Sequence, residues 1–93
     1  MKSSEIDAVA RATRVTVESG WVCIGLKDGR EIRFQASRNR RLAKGSAKAA
    51  KNVEIICNGT GLHWPDLDED LSVQGILEGR FGQPDKVLEE ATI

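Results

Sequence analysis

The chain has 93 residues with 14 acids and 14 bases, so one small domain without net charge is expected, and a generic nucleic-acid binder, usually basic overall, is disfavoured. Charged residues make up 30% and hydrophobic residues 40%, which excludes global disorder and supports a packed core with a thin stability margin. No apolar run reaches the length of a membrane span, and the polar start from Met1 to Asp7 is not a secretory signal, so a cytoplasmic protein with no membrane contact is expected.

From Ser4 to Ala12 the chain reads as a short helix, with Ser4 as cap and Ile6, Val9 and Ala10 at helical spacing. Period-two alternation follows: Val15 and Val17, then Val22, Ile24 and Leu26, then Ile32 and Phe34. A two-residue Ser19-Gly20 turn sets Val17 against Val22 and Val15 against Ile24 on one face. A two-residue Asp28-Gly29 turn would oppose Ile24 to Arg33, which places charge on the apolar face. A three-residue loop, Lys27-Asp28-Gly29, instead opposes Ile24 to Ile32 and Val22 to Phe34, with Gly29 at the left-handed position of a G1 bulge. The expectation is a three-stranded meander with one apolar face.

From Ala36 to Asn52 the composition changes to Arg38, Arg40, Arg41, Lys44, Lys48 and Lys51 with no acid. Ser37 is a candidate cap for a helix ending near Gly45, and Ser46 for a second running through Lys51. Val53, Ile55 and Cys57 suggest a fourth strand. Asn58-Gly59-Thr60-Gly61 is a turn, and Leu62-His63-Trp64 an extended piece ended by Pro65. After the acids Asp66, Asp68, Glu69 and Asp70, either Asp70 or Ser72 caps a helix carrying Leu71, Val73, Ile76 and Leu77, which Gly79 stops. This helix is expected to cover the meander. Residues 1–80 form a single α+β domain on this reading, and 81–93 a C-terminal tail in which Val87-Leu88-Glu89-Glu90 is either a helical turn or disordered.

Candidate chemistry is sparse. His63 beside Asp66, Asp68, Glu69 and Asp70 invites a metal-dependent enzyme, but the spacing fits neither an EF-hand nor a zinc site, and the plainer reading is that the acids open a helix. Neither a metal nor another cofactor is expected, and no catalytic residues are assigned. Cys23 and Cys57 form no CxxC and read as reduced, buried or half-buried small hydrophobes. The glycine turn at 58–61 lacks the lysine and helix of a phosphate loop. Arg38, Arg40, Arg41, Lys44 and Lys48, within the basic segment 38–51, could contact nucleic-acid phosphates, but no aromatic is interleaved for stacking, and a solvated helical face is the plainer reading. Trp21 falls on the meander's polar face among Arg14, Thr16, Glu31 and Arg33, where it is either an interface anchor or partly covered by a neighbouring segment. The acids after Val53 balance the basic middle, a pattern that steers association with a partner or a second copy, or is neutralised within the fold.

The run from Leu62 to Leu77, together with Leu26-Lys27-Asp28-Gly29-Arg30 and Arg41-Leu42, resembles the bacterial domain-of-unknown-function family 2442 over about Ala12 to Gly79. The resemblance implies a small α+β domain without established catalysis, found beside small toxin-like genes, hence an antitoxin-like or other partner-binding role. It departs at Ala36-Ser37-Arg38-Asn39-Arg40, where the family has a proline-led segment containing an aromatic. Some relatives carry a helix-turn-helix appendage that is not seen here. The expected function is therefore a non-catalytic protein-binding module with His63, Trp64, Asp66, Asp68, Glu69 and Asp70 as candidate partner surface. The alternative is a nucleic-acid-binding regulator using the basic segment. The HWPDLDED run can equally be a structural lock.

Overall fold

The computed structural model describes residues 9–82. Two antiparallel three-stranded sheets are joined by short helices. The first holds β1 (Ala12–Glu18), β2 (Trp21–Leu26) and β3 (Glu31–Gln35) in that order. Helices α1 (Arg40–Lys44) and α2 (Ala47–Lys51) lead to the second sheet, β4 (Glu54–Ile56), β5 (Gly61–Trp64) and β6 (Glu69–Ser72), and α3 (Val73–Leu77) follows. The fold is α+β, as the sequence indicates. Of the expected N-terminal helix, residues before Val9 lie outside the described part, and Ala12 is already strand.

The meander has the register that the turn chemistry requires. Ser19 and Gly20 take φ of 52° and 83°, the double left-handed geometry of a type I′ turn, and Val17 pairs with Val22 and Val15 with Ile24. In the second turn Gly29 sits at φ 96°, its N–H donates to the Leu26 carbonyl (3.0 Å), and Leu26 N–H donates to the Arg30 carbonyl (2.8 Å). Ile24 therefore faces Ile32, and Val22 faces Phe34. The Asp28 carboxylate accepts from the Arg30 backbone N–H and from its Nε, and the backbone bond above all holds its pKa below the usual value.

The second sheet corrects two expectations. The fourth strand covers Glu54–Ile56, and Cys57 lies beyond it, exposed, with left-handed φ of 55°. The acids after Pro65 do not open a helix: they form a four-residue loop, Pro65 to Asp68, and then β6. Leu67 N–H donates to the Trp64 carbonyl (3.2 Å), and Asp68 takes φ of 53°, a conformation that aspartate tolerates. Helix α3 starts after Ser72, whose hydroxyl accepts from Gly75 N–H (2.7 Å). It ends in a Schellman motif: Arg80 N–H to Gly75 O, Gly79 N–H to Ile76 O, and Gly79 at φ 87°.

One core joins the layers. Val17, Val22, Ile24 and Phe34 from the meander meet Leu42, Leu62, Trp64, Leu71, Val73 and Ile76. The covering of the meander is therefore shared: β4 and α2 lie against β1, while Leu42 of α1 and Val73 and Ile76 of the five-residue α3 add to the common core. The two sheets also meet at Gly59 (φ 91°), where a Cβ would sit 2.9 Å from the Ala12 carbonyl oxygen and 3.0 Å from Arg11 Cβ. Gly59→Ala is expected to cost about 2 kcal/mol in urea unfolding, combining an unfavourable φ with backbone overlap. Gly20→Ala, at φ 83° with nothing within 4 Å, should cost about half that.

Candidate functional site

The HWPDLDED run sits on β5, its loop and β6, and Trp64 shows how it is used. Strand alternation turns Leu62 and Trp64 inward and His63 outward. The Trp64 ring is fully buried, and its Nε1–H donates to the Ala50 carbonyl at the end of α2 (2.9 Å). That bond satisfies both the indole donor and a carbonyl near a helix C-terminus, where intrahelical partners run out. Trp64 thus presents no partner surface, which corrects its place among the candidate surface residues.

The neighbouring residues also brace the helical connection. Asp66 accepts from the Asn52 side chain, just after α2 (3.1 Å). Leu67 packs on Gly45, where an added Cβ would lie 2.6 Å from Leu67 Cδ2. The Leu67 and Asp68 carbonyls accept from Arg41 Nη1 at 3.2 and 2.7 Å. Glu69, whose side chain is 13% exposed, accepts from Asn39 Nδ2 (2.7 Å) and lies 4.0 Å from Arg41 Nε. The Asp68 and Asp70 side chains remain largely exposed.

Asn39 joins α1 to β6 and to Phe81. It is 1% exposed and fully engaged: Oδ1 accepts from Leu42 N–H (2.9 Å) as the cap of α1, while Nδ2 donates to Glu69 and to the Phe81 carbonyl (2.7 Å each). Ser37, the expected cap, lies instead in a 3-10 turn, Ala36–Arg38. The signal was present, since asparagine is as good a cap as serine and Asn39 stands three residues before the buried Leu42. Ser46 caps α2 as expected.

His63 lies in an outward row across the second sheet, paired with Glu54 on β4 and Asp70 on β6. Its Nδ1 is 2.5 Å from Asp70 Oδ1. The bond to Asp70 leads the causes that raise its pKa above 6.5, with Glu54 and Asp68 adding attraction. Among the described residues no three His, Cys, Asp or Glu side chains are grouped so as to hold a metal ion.

The basic segment is divided. Arg41 is committed to the β5–β6 loop, and Arg38 lies over the Phe81 ring, 5.3 Å from its centroid. Arg40, Lys44 and Lys48 are exposed on α1 and α2. Elsewhere Arg33 covers half-buried Trp21 (4.7 Å), and Phe81 stacks on Phe34 with centroids 4.9 Å apart. These side chains line one groove with Gln35. No helix among the described residues is long and apolar enough to cross a membrane.

Residues 12–82 match the family model described as protein of unknown function (DUF2442). The chain belongs to this family. The DUF2442 match runs from the start of β1 to Gly82 and so includes both sheets, Asn39 and Phe81. No curated protein matches the chain significantly. Two solved structures are similar to it. One is the crystal structure of a protein of unknown function from Rhodospirillum rubrum, 33% identical with a TM-score of 0.75, covering 83% of this chain and 95% of that one. The other is the solution structure of an uncharacterized protein from Chromobacterium violaceum, 25% identical with a TM-score of 0.74, covering 96% and 87%.

Two measurements check the DUF2442 site geometry. Because the folded pKa of His63 is raised, its pairing with Asp70 stabilises the fold fully below about pH 6.5 and is lost as pH rises through the folded value. An NMR titration should place His63 above about 6.5, and Asp70→Asn should bring it down. In thermal melts the gap between wild type and Asp70→Asn should close as pH increases. Asn39→Ala should lose about 2–3 kcal/mol in urea unfolding, because a cap and two buried acceptors lose their partner. Asn39→Ser should recover about 1 kcal/mol by restoring the cap alone.

Proposed function

We propose that this DUF2442 chain is a non-catalytic protein-binding module, the antitoxin-like partner of a small bacterial protein. The observation that carries the reading is the groove of Trp21, Arg33, Phe34, Gln35, Arg38 and Phe81 at the end of the first sheet. Tryptophan, phenylalanine and arginine are enriched at the energetic centres of protein interfaces. Here the two arginines lie over aromatic rings on an open surface. The acidic run adds little to that surface, because Asp66 and Glu69 accept from Asn52 and Asn39 within the chain. Asp68 and Asp70 stay accessible as peripheral charges. The nucleic-acid alternative keeps Arg40, Lys44 and Lys48 on the outside of α1 and α2, and the test separates it.

The test is capture of partners from native lysate on the tagged full chain at low salt, with and without nuclease. A small protein retained in stoichiometric amount after nuclease treatment is the expected result. Co-purifying nucleic acid that disappears with nuclease or moderate salt would contradict the proposal and favour the basic helices.

A further inference from the structure

Resting on the protein-binding reading above, we infer that the outer edge of β3 accepts an extended acidic segment of a partner protein as a fourth strand of the first sheet, with a carboxylate set against Arg33. The backbone gives the first ground. β3 ends the sheet, pairing among the described residues only with β2. Leu26 N–H donates to Arg30 O, and Ala36 N–H donates to Gly20 O. Antiparallel pairs alternate between bonded and non-bonded, so Arg30, Ile32, Phe34 and Ala36 bond toward β2. The N–H and C=O groups of Glu31, Arg33 and Gln35 therefore point away from β2, to an edge that no other described strand occupies, and among the described residues all three are exposed. An added strand uses such a row directly.

The side chains supply the chemistry. Glu31 is already engaged by Arg14, which crosses β2 above Gly25 (3.4 Å). Arg33 and Arg38 have aromatic rings beside them and no ion pair among the described residues. An incoming strand alternates its side chains between the two sheet faces. On the Trp21 face it meets Arg33, and on the other face it meets Phe34 and Phe81 with Arg38 beyond. An alternation of acidic and apolar residues fits this edge. A second copy fits poorly, because symmetric antiparallel pairing centred on Arg33 sets two guanidinium groups opposite each other. Charged residues on a short edge strand also discourage indiscriminate pairing, so the same side chains act as a selector.

The probe is a blocked heptapeptide of alternating glutamate and valine, added to the isotope-labelled full chain, with a lysine-for-glutamate peptide as control. Saturable shifts and slowed exchange at the Glu31, Arg33 and Gln35 amides are expected with the acidic peptide only. Arg33→Glu should weaken it about tenfold and gain binding of the lysine peptide, a charge swap that a misfolded variant would not show. Four results would overturn the inference: equal or absent response to both peptides; shifts at these amides with oligouridylate in place of the peptide; protection of these amides in the free monomer; or shifts that grow with protein concentration alone, which would indicate a second copy. A partner captured from lysate and held equally by wild type and Arg33→Glu would leave the protein-binding reading standing while removing β3 as its site.

Discussion

The burial of Trp64 against the end of α2 is the constraint on which the rest of the structure depends. Its ring is the largest fully buried side chain, and its single polar atom is paired with the Ala50 carbonyl. Removing a side chain of this size from a core typically costs about 3–5 kcal/mol, a large share of what a domain this small can hold. The bond also fixes where α2 lies relative to β5. Once α2 is placed, Asn52 meets Asp66, Leu67 fills the space over Gly45, and Arg41 reaches the loop carbonyls. Asn39 completes the brace from the other end of the helical pair by joining α1, β6 and Phe81.

This arrangement explains how an acid-rich run braces a neutral domain while Asp68 and Asp70 keep their carboxylates in solvent. Its residues divide by strand alternation and loop position. Trp64 and Glu69 form a cross-strand pair on the inner face, and His63 and Asp70 form one on the outer face. Glu69 stands where a hydrophobic residue would be expected, and its nearly buried carboxylate is stabilised by a hydrogen bond from Asn39. The cationic helices that supply Arg41 are thereby tied to the acidic loop by bonds to its carbonyls, and the approach of Arg41 to the Asp68 and Glu69 carboxylates offsets part of the charge asymmetry within the fold.

The meander was legible because its strands carry two or more apolar residues at period two and its glycines select the turns. Val22, Ile24, Ile32 and Phe34 admit only one register that keeps charge off the core. β6 was not legible, because only Leu71 on it is a buried hydrophobic residue and its inward companion is Glu69. A strand with one apolar residue beside four acids looks like a helix entrance. The two roles of Asn39 were hidden for a different reason. Capping is a local signal, but its bonds to Glu69 and Phe81 span 30 and 42 residues. The groove at β3 was half visible: Trp21 and Arg33 were placed on the polar face by alternation, whereas Phe81 arrives from beyond α3.

The most direct measurement is tryptophan fluorescence of a Trp21→Phe variant, in which Trp64 is the only emitter. A buried indole should give blue-shifted emission that iodide does not quench until the protein unfolds, with the emission shift and quenching appearing together in one transition. Red-shifted emission open to iodide in the native state would contradict the account, returning Trp64 and its acidic neighbours to the surface as a binding element.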